Sequence, residues 1–138
     1  MSDSKYLVFG GFNSYANSLH DNSFVHGGWS DRIAGSESKD SSDVYILTLP
    51  GFRWFRVAAS APSRAGSSCQ VVGNRQLLSI GGWDPTAIAP YASKDPWNYG
   101  IGIFDMTELS WRPRYNADSA PYVRSDVVNE YYTNRCVF

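Results

Sequence analysis

The sequence has little net charge and no long apolar run. Its 138 residues include 12 Lys plus Arg against 13 Asp plus Glu, which gives a formal net charge of −1. Without a basic excess, few side chains are available to neutralise nucleic-acid phosphates. No apolar stretch approaches the roughly 20 residues of a transmembrane helix, and the N-terminus lacks the basic and apolar regions of a secretory signal. We therefore expect no nucleic-acid partner and no membrane span within this chain.

Histidine and cysteine are also scarce, with two of each. Cys69 and Cys136 are too few for a Cys-rich metal site. We interpret them as buried or partly buried thiols, and a disulfide between them would require a secreted parent protein. His20 and His26 show no metal-ligand spacing, and no GxSxG motif is present. Carboxylates stand near turns, where Asp usually caps backbone groups: Asp84, Asp95, Asp105, Glu108 and Asp118. The sequence predicts no catalytic residue, no metal and no cofactor.

Aromatic residues and short β-rich runs are abundant instead. Aromatic residues make up 15% of the chain and favour strands. Apolar residues nowhere follow the 3.6-residue period of a helix, and Gly, Ser, Asn, Asp and Pro clusters separate the runs. This pattern predicts an all-β fold with strands near 5–10, 43–49, 53–57, 67–72, 76–81, 100–106 and 110–114.

Two of these segments repeat. Residues 43–54 read DVYILTLPGFRW, and residues 100–111, 57 positions later, read GIGIFDMTELSW. Ile46 then aligns with Ile103, and Trp54 aligns with Trp111. An apolar strand followed by two glycines also occurs twice, ending at Gly10-Gly11 and at Gly81-Gly82. One supersecondary unit therefore appears twice, with a length difference in a single loop.

The unit resembles the Kelch repeat, whose pattern is a strand ending in two glycines, a variable loop, a second strand, and a Trp about seven residues after an aromatic. Phe104 and Trp111 match the aromatic–Trp pair, and Pro62 and Arg64 match the opening of the next blade. Leu47 stands where an aromatic is expected before Trp54. The repeat residues are interpreted as structural: Gly10, Gly11, Trp54, Arg64, Gly81, Gly82, Phe104 and Trp111.

The resemblance implies part of a Kelch-type β-propeller with about two to two and a half blades of four-stranded antiparallel sheet. We assign residues 1–60 to an incomplete first blade with a long loop at 12–42, residues 61–120 to a complete second blade, and residues 121–138 to the start of a further blade or a tail. Propellers need roughly four to eight blades, so we expect the missing blades in a longer parent chain. Expressed alone, this chain should be insoluble, oligomeric or loosely packed, because sheet edges and apolar faces stay open.

Function is expected in the loops. Long irregular loops often carry binding residues, and exposed aromatics make good anchors at interfaces. The candidates for binding a protein or glycan are Trp29, Trp83, Tyr91 and Trp97. As an alternative, Trp97 locks its loop onto the sheet. We predict a non-catalytic scaffold, similar to Kelch domains of fungal surface proteins with a membrane anchor beyond the propeller. The alternative class is a galactose-oxidase-like oxidase or a carbohydrate-active propeller.

Overall fold

The described residues form two four-stranded antiparallel sheets, which confirms the all-β, partial-propeller prediction. The computed structural model describes residues 15–19, 22–27, 42–49, 51–73, 75–84, 87–88 and 92–135. Consecutive strands are neighbours throughout, in the orders β1-β2-β3-β4 and β5-β6-β7-β8. The first sheet contains Tyr15–Leu19 (β1), Asn22–His26 (β2), Val44–Thr48 (β3) and Arg53–Val57 (β4). The second contains Ser68–Val72 (β5), Gln76–Ile80 (β6), Ile101–Asp105 (β7) and Ser110–Arg112 (β8).

The 57-residue repeat holds at the level of strand register. Leu47 lies opposite Trp54 in β3–β4, and Phe104 lies opposite Trp111 in β7–β8. β3 and β7 start 57 positions apart, at Val44 and Ile101. The two Trp residues therefore take equivalent positions in their sheets, as the sequence predicted.

The segment predicted as a long loop at 12–42 contains strands β1 and β2, so that interpretation needs correction. Sequence patterns missed them because NSFVH carries polar residues on both faces of the strand. Tertiary packing makes them compatible with a strand: the Asn22 amide donates to the Tyr122 hydroxyl (3.1 Å), and the His26 ring contacts the Ser79 hydroxyl (3.3 Å). These two hydrogen bonds offset part of the cost of burying such groups.

The glycines that end the second strand of each sheet also differ from the sequence interpretation. Gly27 follows β2 with φ of 77°, just as Gly81 follows β6 with φ of 68°. Gly27 therefore corresponds to Gly81, at a spacing of 54 residues. Gly10-Gly11 and the strand predicted at 5–10 lie outside the described residues.

A core of apolar side chains joins the two sheets face to face. The Phe24 ring of β2 packs against Phe104 of β7, with centroids 6.5 Å apart, and against Tyr122 at 6.1 Å. The other buried apolar members are Val44, Ile46, Val57, Leu77, Met106 and Val128. Because both sheets contribute to this single core, neither buries its apolar face without the other.

The C-terminal segment forms a helix, Asp126–Arg135 (α1), where the sequence suggested the start of a further blade or a tail. Val128 is buried in the shared core, and the Tyr132 hydroxyl donates to the Leu49 carbonyl at 3.1 Å. Tyr131 packs edge-on against Phe55 of β4. The helix thus fills space beside the first sheet. Nowhere in the described part of the chain is a helix both long and apolar enough to cross a membrane.

Candidate functional site

A buried arginine organises the loop between β6 and β7. Arg64 precedes β5 and is only 2% exposed. Its guanidinium donates to both carboxylate oxygens of Asp95, one at 2.9 Å. Asp95 also accepts the backbone N–H of Trp97 at 2.8 Å. The hydrogen bond from Arg64 is the main reason that the pKa of Asp95 is lowered, so this carboxylate stays ionised at neutral pH. The charged pair holds the β6–β7 loop against the segment that precedes β5.

Trp97 lies inside an aromatic stack between the sheets. The Arg64 guanidinium sits 4.2 Å from the centre of the Trp97 ring, a cation–π geometry. The Trp97 ring also packs against Trp111, with ring centroids 5.1 Å apart. Gly102 makes room for Trp97, since a Cβ at this position would fall 2.6 Å from two atoms of the indole. This placement agrees with the alternative sequence interpretation, in which Trp97 locks the loop onto the sheet.

His26 closes the same stack from the first sheet. Its ring lies 4.8 Å from Trp111 and 5.9 Å from Trp97, measured between centroids. Burial, with a smaller contribution from the positive charge of Arg64, lowers the pKa of His26 to about 4. The imidazole is therefore neutral at pH 7, and it is fully buried. A neutral, buried ring fits a packing role better than proton transfer to a substrate.

Beside this stack, the β6–β7 loop borders a cleft of about 260 Å³. Arg64 and Asp95 form one wall, and the exposed Lys94 and half-buried Asp84 add charges of opposite sign. The remaining lining residues are Gly82, Trp83, Ala87, Ser93 and Pro96. The backbone of Trp83 is held by two 2.9 Å hydrogen bonds with Ala65. The surface thus combines an aromatic residue, mixed charge and a fixed backbone.

The four loop aromatics proposed from the sequence have different placements. Trp83 borders the cleft, and Trp97 supports the loop from beneath. Trp29 and Tyr91 lie outside the described residues. Among the repeat residues, Trp111 is packed between the sheets, whereas the equivalent Trp54 is 44% exposed.

Sequence reasoning missed a polar network at the opposite end of the second sheet. Arg75 donates to Asp105 at 2.9 Å and to Glu108 at 2.9 Å, and Glu108 also pairs with Arg112. Asp105 accepts the backbone N–H of Glu108 at 3.0 Å, the turn-capping role expected for it. These groups border a second cleft of about 470 Å³. Four of the charged groups that border it pair with one another, and the exposed Arg114 and Asp118 add one further charge of each sign to its lining. Nothing in the spacing of Arg75 and Glu108 signalled the network.

The described residues contain no group of three or more His, Cys, Asp or Glu side chains that could hold a metal ion. His26 and Asp84 therefore do not meet with Asp95 in such a group, and His20 lies outside the described residues. Burial raises the pKa of the Cys69 thiol to about 11, so this cysteine stays protonated and weakly nucleophilic at neutral pH. Cys136 also lies outside the described residues.

Comparison with known proteins agrees with this architecture. The chain is similar to a Kelch repeat-containing protein of the fungus Arthroderma benhamiae, with 30% identity over 97 residues. The two antiparallel sheets and their repeated register are the arrangement that such repeats predict. The alignment covers 65% of this chain and 13% of the relative's length. No family model matches the chain. The Kelch resemblance inferred from its repeats is confirmed.

Proposed function

We propose that this Kelch-type segment is a non-catalytic scaffold that binds a protein partner through the β6–β7 loop surface. The observation that carries the proposal is the buried Arg64–Asp95 ion pair, which ties the loop to the start of the second sheet. A loop held in one conformation loses little conformational entropy when it binds. The cleft that it borders presents Trp83, Asp84 and Lys94 to a partner.

Mixed charge and one aromatic residue suit a protein surface better than a small apolar ligand. Protein interfaces commonly combine an aromatic anchor with a polar rim. Lys94 and Asp84 supply rim charges of opposite sign, and Trp83 is the anchor. Trp97 acts as a positioning residue beneath the loop, and Trp29 and Tyr91 remain predicted binding residues.

Site-specific crosslinking tests this surface. A photoreactive amino acid at exposed Lys94 should capture a partner from a lysate of the source cells, for identification by mass spectrometry. The same group at exposed Ala117, near the opposite edge, serves as the matched control. With the partner purified, Lys94→Glu should weaken binding about tenfold, a typical effect of an interface charge reversal, while Arg114→Glu should not. Equal crosslinking from both positions, or unchanged affinity of Lys94→Glu, would reject the loop surface.

The absence of catalysis is part of the proposal and has its own test. The competing class, a galactose-oxidase-like copper enzyme or a carbohydrate-active propeller, draws on groups from several blades. We expect the purified chain to take up less than one copper ion per chain under stoichiometric titration. Uptake of one copper ion per chain that His20→Ala or His26→Ala abolishes would favour the oxidase.

An origin in a fungal surface protein is supported by the similarity to a fungal Kelch repeat protein. It predicts that the gene encodes further blades followed by an apolar segment of about 20 residues, the length that spans a bilayer. Sequencing the complete transcript tests both features. A transcript without such a segment would contradict membrane anchoring and leave the binding proposal unaffected.

A further inference from the structure

The larger of the two clefts described above lies at the end of the second sheet where β6 begins and β7 ends, and we call it the charged cleft. Its volume of about 470 Å³ is within the range of about 300–1,000 Å³ that small-molecule sites occupy. The start of β6, the turn between β7 and β8, and the segment 113–120 after β8 contribute its lining. None of these residues belongs to the β6–β7 loop, so the charged cleft is separate from the surface proposed to bind a partner.

Polar contacts of poorly exposed side chains hold the walls of the charged cleft in place. Gln76 is only 2% exposed. Its amide nitrogen donates to the Asn116 carbonyl at 2.6 Å, and its amide oxygen accepts the Asn116 backbone N–H at 2.9 Å. The neighbouring Arg75 guanidinium donates to Asp105 and to Glu108, each at 2.9 Å. The segment after β8 is therefore tied to the sheet, and a ligand would meet a preformed site.

Two opposite charges in the lining, Arg114 and Asp118, have no ion-pair partner among the described residues. Both are exposed, and each lies two positions from Asn116, the residue that Gln76 holds. The Asn116 side chain accepts the backbone N–H of Asp118 at 3.0 Å, which fixes the turn that carries this carboxylate. The cleft therefore presents one unpaired cation and one unpaired anion on a backbone that is held in place.

The rest of the lining disfavours other classes of ligand. Among the described residues around the cleft no side chain is aromatic, so a base or another planar ring has nothing to stack on. The apolar members are Pro113 and Ala120, which are too few to hold an apolar ligand. Three carboxylates balance three arginines, which disfavours a multiply charged anion such as a phosphate.

We infer that the charged cleft binds a small zwitterion with a carboxylate at one end and an ammonium group at the other, the chemistry of a dipeptide. The carboxylate of the ligand pairs with Arg114, and its ammonium group pairs with Asp118. The four charges that already pair among themselves, around Arg75 and Glu108, form the wall and stay as they are. The inference is independent of partner binding at the β6–β7 loop.

Three forms of one dipeptide test the two charge contacts separately. The isotope-labelled full chain of 138 residues is titrated with alanylalanine, with its N-acetyl form, which keeps only the carboxylate, and with its C-terminal amide, which keeps only the ammonium group. NMR follows the backbone amide shifts of residues 114–119. We expect alanylalanine to bind with a Kd of about 1–10 mM, and each blocked form to bind about fivefold more weakly, the effect of one lost exposed ion pair.

Two charge-removing variants assign each end of the ligand to its partner. Arg114→Gln should weaken binding of alanylalanine and of its N-acetyl form about fivefold and leave the amide unchanged, whereas Asp118→Asn should weaken alanylalanine and the amide and leave the N-acetyl form unchanged. Arg53→Gln is the matched control, because Arg53 is also exposed but lies on β4 of the first sheet.

Three results would overturn the inference: no shift with alanylalanine at about 50 mM, well above the expected Kd, equal affinity of the wild type for all three forms, or affinities that neither variant changes. Each of them would leave the proposal for the β6–β7 loop standing, because Lys94 and Trp83 lie outside the charged cleft.

Discussion

At the scale of single residues, His26 couples the folding of the two sheets to pH. Its pKa falls from 6.5 in the unfolded chain to about 4 in the fold. The unfolded state therefore binds the extra proton first, and stability decreases as the pH falls from 6.5 towards 4. The full effect is about 3 kcal/mol, from the energy of about 1.36 kcal/mol per pKa unit.

Urea unfolding of the wild type and of His26→Phe at pH 7, 5.5 and 4.5 checks this prediction. The variant should lose much less stability between pH 7 and 4.5 than the wild type does. His20 remains in both proteins, so its titration cancels. Asp95, the carboxylate that pairs with Arg64 beside this stack, has a lowered pKa and loses its stabilising charge only at lower pH. Equal pH dependence of the two proteins would contradict the role of His26.

Two adjacent glycines allow backbone conformation to be separated from steric clash. Both have positive φ, 68° at Gly81 and 78° at Gly82. A Cβ at Gly81 meets no atom within 4 Å, whereas a Cβ at Gly82 falls 2.6 Å from the Ala65 carbonyl oxygen. Gly81→Ala should lower the free energy of unfolding by about 1–2 kcal/mol, the cost of a left-handed conformation. Gly82→Ala should cost at least about 1 kcal/mol more. Chemical denaturation measures both, and equal losses would reject the clash.

At the scale of elements, the β6–β7 loop depends on one buried ion pair. Asp95→Asn removes the negative charge that faces Arg64 and leaves a buried guanidinium without a counterion. Breaking such a pair typically costs about 3–5 kcal/mol; we expect the lower end, since the Asp95 side chain is partly exposed. Asp43→Asn is the control, because its partner Arg56 is exposed and the lost pair should matter far less. Thermal unfolding of the two variants tests the difference, which similar melting temperatures would disprove.

Helix α1 is a second element whose contribution can be isolated. Val128 is fully buried in the core, and its neighbour Val127 is 42% exposed. Replacing either Val by Ala improves helix propensity by the same amount. The difference between the two variants in free energy of unfolding therefore measures the packing of Val128. Val128→Ala should reduce the free energy of unfolding by about 2 kcal/mol more than Val127→Ala, from two lost methyl groups and the remaining cavity. Denaturant titration gives this difference; a difference near zero would mean that the helix is not docked on the core.

At the scale of the whole molecule, the shared core predicts that the two sheets unfold together. Phe104 touches Phe24 of the first sheet and Trp111 of its own sheet. Phe104→Ala should cost about 3–5 kcal/mol and shift the unfolding midpoints of circular dichroism and tryptophan fluorescence by the same amount. Coincident curves for both proteins are the expected result of a single cooperative unit. Separate transitions in the wild type would show that each sheet folds independently.

The sequence by itself determined the strand-rich class and the equivalence of Trp54 and Trp111, because these depend on local alternation and on a repeated spacing. The sequence also contains the same Gly-Gly-Trp motif at residues 27–29 and 81–83. Since the second motif follows a strand, this match could have predicted strand β2 before the first one. The local sequence likewise predicted the loop at 83–99 and suggested that Trp97 holds this loop against the sheet. The buried partner of that loop, Arg64, was recognised only as a repeat residue.

Only the tertiary structure shows that the polar segment NSFVH is a buried strand and that residues 126–135 form a helix packed on the core. Asn22 and His26 each gain a hydrogen bond through one side-chain nitrogen from partners 100 and 53 positions away, Tyr122 and Ser79, which offsets part of the cost of burying them in a strand. Helix α1 has a weak apolar pattern, and the deep burial of Val128 comes from the space left beside the sheets. Spacing along the chain cannot reveal such contacts, because hydrogen bonding and packing between distant segments depend on the folded arrangement of both sheets.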